Sequence, residues 1–94
     1  MPLLRIQHVV TDYDDWKRAF DADPLGRKAS GVRRYDIHLA VTDANFVMVD
    51  LEFDTTMDAQ HMLQKLKQLW AGPGAGVTRH PQAWILETVE SRTL

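Results

Sequence analysis

The sequence has no cysteine, which excludes disulfide bonds, thiolate metal sites and cysteine nucleophiles. It has no apolar run near the ~20 residues of a membrane span, and its start (MPLLRIQHVV) lacks the features of a signal peptide. The formal net charge is only −2, and lysine and arginine are spread along the chain rather than gathered in a basic stripe. We therefore expect a cytoplasmic protein that binds neither nucleic acid nor membranes.

What the chain does contain is an ordinary globular composition in a short length. Its 94 residues are 45% hydrophobic and 26% charged, which predicts one folded domain over residues 1–94. A domain of this size leaves roughly a third of its unfolded-chain surface exposed and is often marginal alone. Oligomerisation is one way to bury the remainder.

The first part of the chain predicts a strand followed by a helix. Residues 3–10 are apolar on both faces, as in a central strand, and Asp12 is placed to cap a helix. Asp23 and Pro24 predict a further short helical turn that reaches Ser30. The expected buried stripe of the first helix, at i, i+3 and i+4 spacing, is Trp16, Ala19 and Phe20.

The middle of the chain alternates between apolar and polar residues and predicts two paired strands, at residues 32–41 and 46–53. Their apolar faces coincide only if the connecting loop has an odd number of residues, three or five. Three residues place Asp36 opposite Asp50 and Arg34 opposite Glu52, whereas five place His38 opposite Asp50 and Asp36 opposite Glu52. Either register brings two carboxylates together.

The last part predicts a helix, a long loop and a strand. Thr55 or Thr56 caps a helix that runs to about Trp70, residues 71–82 form a loop rich in glycine and proline, and residues 83–89 form a strand. The order β-α-β-β-α-β predicts a ferredoxin-like α+β fold, with two helices on one face of a four-stranded antiparallel sheet. The other face, with Phe46 and Met48, needs a cover, so we expect a homodimer formed through this sheet face.

Two segments resemble a known superfamily. Residues 8–21 (HVVTDYDDWKRAFD) and residues 45–54 (NFVMVDLEFD) are similar to segments of small dimeric α+β barrel proteins, relatives of the antibiotic-biosynthesis monooxygenase and polyketide-cyclase-like families. The resemblance implies a ligand cavity, either between each sheet and its own helices or inside the joint barrel. It names no single reaction, because the superfamily hosts oxygenases, cyclases, isomerases and haem-degrading enzymes.

No cofactor is expected. The chain has no glycine-rich nucleotide motif and no Ser-centred elbow, and only Asp36 and His38 have a spacing that a metal could use. Trp70 and His80 have the ten-residue separation that resembles haem-degrading members, but the first strand offers Gln7 rather than an asparagine. We interpret that separation as coincidence and expect no bound haem, flavin or metal.

The candidate catalytic residues are His8 on the first strand and a cluster on the hairpin. The cluster is either an acid/base group with a carboxylate-tuned histidine or a solvated face on which Arg34 neutralises its neighbours. His8 is either a base that faces a cavity or a core histidine bonded to backbone. The candidates are His8, Arg34, Asp36, His38 and Asp50, with Glu52 as a neighbour in the cluster.

These residues predict a protein with a pocket for a small hydrophobic or aromatic molecule. One hypothesis is a cofactor-free monooxygenase or cyclase for an aromatic or polyketide-like substrate, with His8 or His38 as base and Arg34 as anion stabiliser. The other is a non-catalytic dimeric ligand-binding or accessory module. An open cavity lined by a histidine favours the first; a core filled by Trp16, Phe20, Met48 and Trp70 favours the second.

Overall fold

A computed structural model describes residues 1–72, 76 and 78–94. The four strands form one antiparallel sheet in the order β2-β3-β1-β4, so β1 and β3 are central and β2 is an edge. The predicted ferredoxin-like βαββαβ fold is confirmed. The elements are β1 (Pro2–Val10), α1 (Tyr13–Asp21), β2 (Val32–Ala40), β3 (Asp43–Phe53), α2 (Thr56–Ala71) and β4 (Thr78–Glu87).

Both helices begin at the predicted caps. The Asp12 carboxylate accepts a hydrogen bond from the backbone N–H of Asp15 at 3.1 Å, and the Thr55 hydroxyl accepts one from Asp58 at 3.1 Å. Each bond satisfies a backbone donor that the first helical turn leaves free.

The segment expected to form a short helical turn from Pro24 to Ser30 does form turns but no continuous helix. The segment forms consecutive turns, because Asp23 (φ 53°) and Gly26 (φ 62°) adopt the left-handed conformation, which a right-handed helix cannot contain. Its backbone bonds close single turns instead, such as Gly26 N–H to the Asp23 carbonyl at 3.1 Å.

The helices cover one face of the sheet, and alternate residues of each central strand point to them. On β1 the even-numbered positions are buried and the odd-numbered ones are half-buried. The buried apolar core consists of Leu4, Ile6, Val10, Trp16, Val32, Val47, Val49, Leu51, Phe53, Ala59 and Met62. The opposite face of the sheet, called the open face below, carries Leu3, Arg5, Gln7 and Val9 from β1 and Phe46, Met48, Asp50 and Glu52 from β3.

The β2–β3 hairpin has the register of the three-residue alternative but not its loop. Asp36 pairs with Asp50 and Arg34 with Glu52, as a three-residue loop requires. The register then shifts beside Leu39, and only two residues, 41 and 42, form the turn. A two-residue loop alone would put the apolar residues of the two strands on opposite faces. The irregularity beside Leu39 shifts the register, so that the apolar faces coincide.

The last strand begins five residues earlier than predicted, at Thr78 rather than at residue 83. Pro81 suggested a loop, since proline cannot donate a ladder hydrogen bond, but a bulge tolerates it. The ladder between β1 and β4 skips a residue between Gln7 and Val9, and His80 adopts a positive φ of 52° beside Pro81. Residues 73–75 and 77 of the predicted loop lie outside the described residues.

Among the described residues, no helix is long and apolar enough to cross a membrane.

Candidate functional site

A cavity of about 340 Å³ lies between the helices and the helix-covered face of the sheet. Its lining is mainly apolar: Trp16, Phe20 and Trp70 form parts of the wall rather than filling the space, and Met48 lies on the open face. Ala19, expected in the buried stripe of α1, is exposed to the cavity. The described lining residues are Ile6, His8, Trp16, Ala19, Phe20, Ala22, Pro24, Leu25, Arg27, Val49, Leu51, Met62, Leu66, Leu69, Trp70 and Thr78.

His8 reaches this cavity because of its position on β1. It has the same parity as Leu4, Ile6 and Val10, so its side chain points toward the helices. The bulge in the β1–β4 ladder lies directly beside it, where His80 and Pro81 occupy the place of one residue. Bulges of this kind redirect side chains and are common next to active sites.

The His8 ring is buried and has unsatisfied hydrogen-bonding capacity. It is 3% exposed, and neither ring nitrogen has a hydrogen-bond partner among the described residues. Burial lowers the pKa of His8 to about 4 from an ordinary value of 6.5, because the apolar surroundings disfavour the charged imidazolium. At neutral pH the ring is therefore uncharged, with one nitrogen able to accept a proton.

Aromatic rings connect His8 with the far side of the cavity. The centroids of His8 and Trp16 are 5.3 Å apart, and those of Trp16 and Phe20 are 5.2 Å apart, with the latter pair stacked at 27°. We call His8, Trp16 and Phe20 the aromatic ladder. The spacing of Trp16 and Phe20 at i and i+4 on α1 places both rings on the same side of that helix.

The hairpin cluster lies on the open face and forms ion pairs there. Arg34 contacts Asp36 at 3.2 Å and Glu52 at 3.0 Å, so it neutralises both neighbours. His38 is 57% exposed in its side chain, and its Nε2 is 3.9 Å from the carboxylate of Asp50. The side chains of Arg34, Asp36 and His38 are exposed, as on a solvated hairpin face, whereas that of Asp50 is buried.

Arg5 is the residue of this cluster that sequence reasoning missed. It pairs with Asp50 across the β1–β3 ladder and donates two hydrogen bonds to its carboxylate, Nε at 2.8 Å and Nη2 at 3.0 Å. This cation relieves the repulsion between Asp50 and Asp36, which face each other on β3 and β2. The alternation of β1 could have indicated this, because Arg5 is an odd-numbered residue and so lies on the face opposite the buried positions, as Asp50 does.

The structure does not bring the five candidate residues into one site. His8 lies in the cavity, whereas Arg34, Asp36, His38 and Asp50 lie on the other side of the sheet. The described lining includes two further polar residues that the sequence did not suggest as site residues, Arg27 and the buried Thr78. No local pattern marks either, since Arg27 lies in a turn segment and Thr78 was predicted to be in a loop.

The residues considered for metal or haem are also separated. Within residues 1–72, 76 and 78–94, no group of three or more histidine, aspartate or glutamate side chains is arranged to hold a metal ion. Trp70 lines the cavity, whereas His80 is exposed at the β4 bulge and is not among the described lining residues.

Solved structures share this architecture. SnoaB from Streptomyces nogalater, described as a cofactor-independent oxygenase and solved as a single-residue variant, superposes with a TM-score of 0.77 at 9% identity, over 96% of this chain and 94% of that chain. A structure described as an antibiotic biosynthesis monooxygenase gives a TM-score of 0.69 at 10% identity, over 96% and 100% of the two chains. Rv0793 from Mycobacterium tuberculosis gives 0.63 at 18% identity, over 99% and 100%.

The chain has the fold of the antibiotic biosynthesis monooxygenase-like structures. The resemblance stated from residues 8–21 and 45–54 is therefore confirmed at the level of the fold. No protein-family model and no curated protein matches the chain. At these identities the likeness concerns the path of the backbone, and a reaction has to be argued from this chain's own side chains.

Proposed function

We propose that this chain binds a small hydrophobic or aromatic molecule in the cavity and acts on it as a cofactor-independent monooxygenase or cyclase. The observation that carries the proposal is His8, a buried and uncharged imidazole whose nitrogens have no described protein partner and which lines a largely apolar cavity. An unsatisfied buried polar group is costly, and a ligand that hydrogen-bonds to it would remove that cost.

The size and lining of the cavity support an aromatic ligand. A cavity of ~150 Å³ suffices for benzene, so about 340 Å³ accommodates a molecule of two or three fused rings. The rings of Trp16, Phe20 and Trp70 line the cavity and offer aromatic surface for such a molecule to contact. Few polar groups line the wall, as is usual for sites that bind small apolar molecules.

The chemistry open to His8 is removal of a proton from an acidic C–H or O–H group of the substrate. The resulting carbanion can reduce O₂, so that a ring CH₂ group and O₂ become a ring carbonyl and water. Alternatively, it attacks a carbonyl carbon within the same molecule and closes a ring. In both reactions the substrate supplies the electrons, and the protein supplies a base and a largely apolar cavity.

The low pKa of His8 has two consequences for this mechanism. The ring is uncharged at neutral pH and ready to accept a proton, but it is a weak base until a negative charge lies beside it. Formation of the substrate anion next to the imidazolium supplies that charge and favours the transfer. A permanently neutral His8 that only hydrogen-bonds to a ligand instead favours the second candidate, a non-catalytic dimeric ligand-binding or accessory module.

Anthrone, a tricyclic ketone with an acidic CH₂ group, is a suitable test substrate. We expect the purified protein, after dialysis against a chelator, to consume O₂ in an electrode cell and to form anthraquinone one-to-one with the O₂ consumed. Heat-denatured protein serves as the control for uncatalysed oxidation. Tight binding of anthrone without turnover would favour the ligand-binding module, and absence of binding would contradict both candidates.

We infer that a second copy of the chain covers the open face. Apolar side chains on this face have no helix over them, among them Trp84, which is 44% exposed. The face carries both signs of charge, with Arg5 and Arg34 beside Asp36, Asp50 and Glu52. Such a surface is self-complementary under a two-fold axis, which lets each copy's arginines approach the other's carboxylates.

Replacing Met48 with aspartate is expected to raise the dimer dissociation constant by at least about 100-fold, because a carboxylate would be desolvated where an apolar side chain packs and would add to the acidic charge of the face. Sedimentation equilibrium at micromolar concentration measures this. The control is Val41→Asp at the hairpin turn, where Val41 is fully exposed and no interface is expected. A wild-type species of only 10.8 kDa would refute the dimer; equal dissociation constants for wild type and Met48→Asp would exclude the open face as its interface.

A further inference from the structure

Arg27 is the only lining residue of the cavity, among those the structure describes, that carries a full charge at neutral pH. It belongs to the turn segment between α1 and β2, and its side chain is 18% exposed. No described lining residue is an aspartate or glutamate. Among the described residues, the cavity therefore combines an apolar wall with one cation, whose counter-ion Asp23 lies 3.5 Å from its Nη1 and is not itself a lining residue.

The guanidinium of Arg27 is held in place by the residues around it. Its Nη1 donates to the Phe20 carbonyl at 2.6 Å, and its carbon Cζ lies 3.9 Å from the centre of the Phe20 ring and 5.2 Å from that of Tyr35. The backbone N–H of Arg27 donates to the carboxylate of Asp23 at 2.9 Å. These contacts fix the orientation of the guanidinium group before any ligand binds, which reduces the entropy that binding would cost.

Part of the hydrogen-bonding capacity of Arg27 is unused. A guanidinium has five N–H donors, and among the described residues only Nη1 makes a side-chain hydrogen bond. The carboxylate of Asp23 is 3.5 Å from the same Nη1, and no hydrogen bond from Nε or Nη2 is found among the described residues. An incoming anionic group can therefore still bind the guanidinium through these atoms.

The aromatic ladder begins at His8 and ends at Phe20, where it meets Arg27. Trp16 lies between His8 and Phe20, and Arg27 stacks on the Phe20 ring at the end of the series. A flat ligand that lies along these rings would have one end at the imidazole and the other at the guanidinium. The two polar ends of the cavity thus define the direction in which such a ligand lies.

From this arrangement we propose that the cavity selects aromatic acids, with a carboxylate on Arg27 and the ring system along Trp16 and Phe20 toward His8. The proposal rests on the proposed function only in taking the cavity as a binding site. A planar guanidinium recognises a carboxylate through two parallel N–H donors, and a neutral amide of the same shape lacks the charge that strengthens these bonds. Arg27 is accordingly a specificity-determining residue that orients the substrate.

The test compares 2-naphthoate with 2-naphthamide, two ligands of the same ring system, by titration calorimetry. The wild-type protein is expected to bind the acid about tenfold more tightly than the amide, as a charge-assisted hydrogen bond implies. Arg27→Gln is expected to reduce this preference to about twofold or less while the amide still binds, and Arg27→Lys to retain part of it. Arg33→Gln is the matched control, since Arg33 is exposed and paired with Asp54 away from the cavity.

Each alternative result has a definite meaning. Equal binding of the acid and the amide by the wild type, or an acid preference that survives Arg27→Gln, would overturn the assignment and leave the cavity as a binding site. Equal loss of both ligands in Arg27→Gln would show that Arg27 supports the cavity wall rather than the acid group, which also overturns it. Failure of the wild type to bind either ligand would contradict the cavity itself, and with it the proposed function.

Discussion

His8→Leu is expected to lower the rate of anthrone oxidation by about 10²- to 10⁴-fold, the usual contribution of a positioned general base. Leucine keeps the apolar character of the position and removes both ring nitrogens, so anthrone should still bind within a few-fold of the wild-type affinity. Trp16, whose ring is 5.3 Å from that of His8, reports binding by a change in fluorescence. Rate and affinity measured on the same samples separate loss of the base from loss of the cavity.

Two further histidine variants complete this experiment. His61→Leu changes an exposed residue of α2 and serves as the matched control, with an unchanged rate. His38→Leu tests the other histidine considered as a base, which lies beside Asp50 on the open face. Loss of turnover in His38→Leu together with full activity in His8→Leu would move the reaction to the open face and contradict the cavity mechanism.

Acid is expected to destabilise the wild-type protein through His8. The pKa of this group is about 4 in the folded state and 6.5 in its ordinary state, so between these values the unfolded chain binds a proton that the folded chain does not. The protonation of His8 therefore costs the folded state nothing above about pH 6.5. Below that value the free energy of unfolding falls as the pH is lowered toward 4. A shift of this size corresponds to a loss of about 3 kcal/mol in the free energy of unfolding.

Urea unfolding at pH 7.5 and pH 4.5, at one fixed protein concentration, measures this loss. Carboxylates also titrate in this range, so the comparison is with His8→Leu, which keeps the carboxylates and lacks the imidazole. We expect the difference between the two pH values to be about 2–3 kcal/mol smaller in His8→Leu than in the wild type. Equal differences in the two proteins would mean that the His8 ring reaches a proton acceptor or water in solution.

Features set by neighbouring residues could be predicted from the sequence. Asp12 and Thr55 cap helices because their side chains bond to backbone only three residues away. The alternation of β2 and β3 assigned their two faces, because side-chain direction in a strand depends only on parity. The same parity placed Phe46 and Met48 on the face that no helix covers.

Predictions failed where a backbone irregularity overrides the local pattern. Pro81 taken alone indicates a loop. In the structure the bulge at His80 accommodates the proline within the strand, so β4 already begins at Thr78. The left-handed conformations of Asp23 and Gly26 divide the segment up to Ser30 into separate turns rather than a continuous helical turn, since both residue types tolerate that conformation without requiring it. Only the packing of the neighbouring elements decides between the two outcomes.

The sequence by itself determined the order of the elements, the faces of the strands and the candidacy of His8. Tertiary structure alone decided that the space beside His8 is open, that Arg27 reaches it from a distant turn, and that Arg5 pairs with Asp50. The physical reason is the sequence separation of the residues that interact. Periodicity fixes where a side chain points relative to its own backbone, whereas a cavity and a cross-strand ion pair depend on which distant segments pack together.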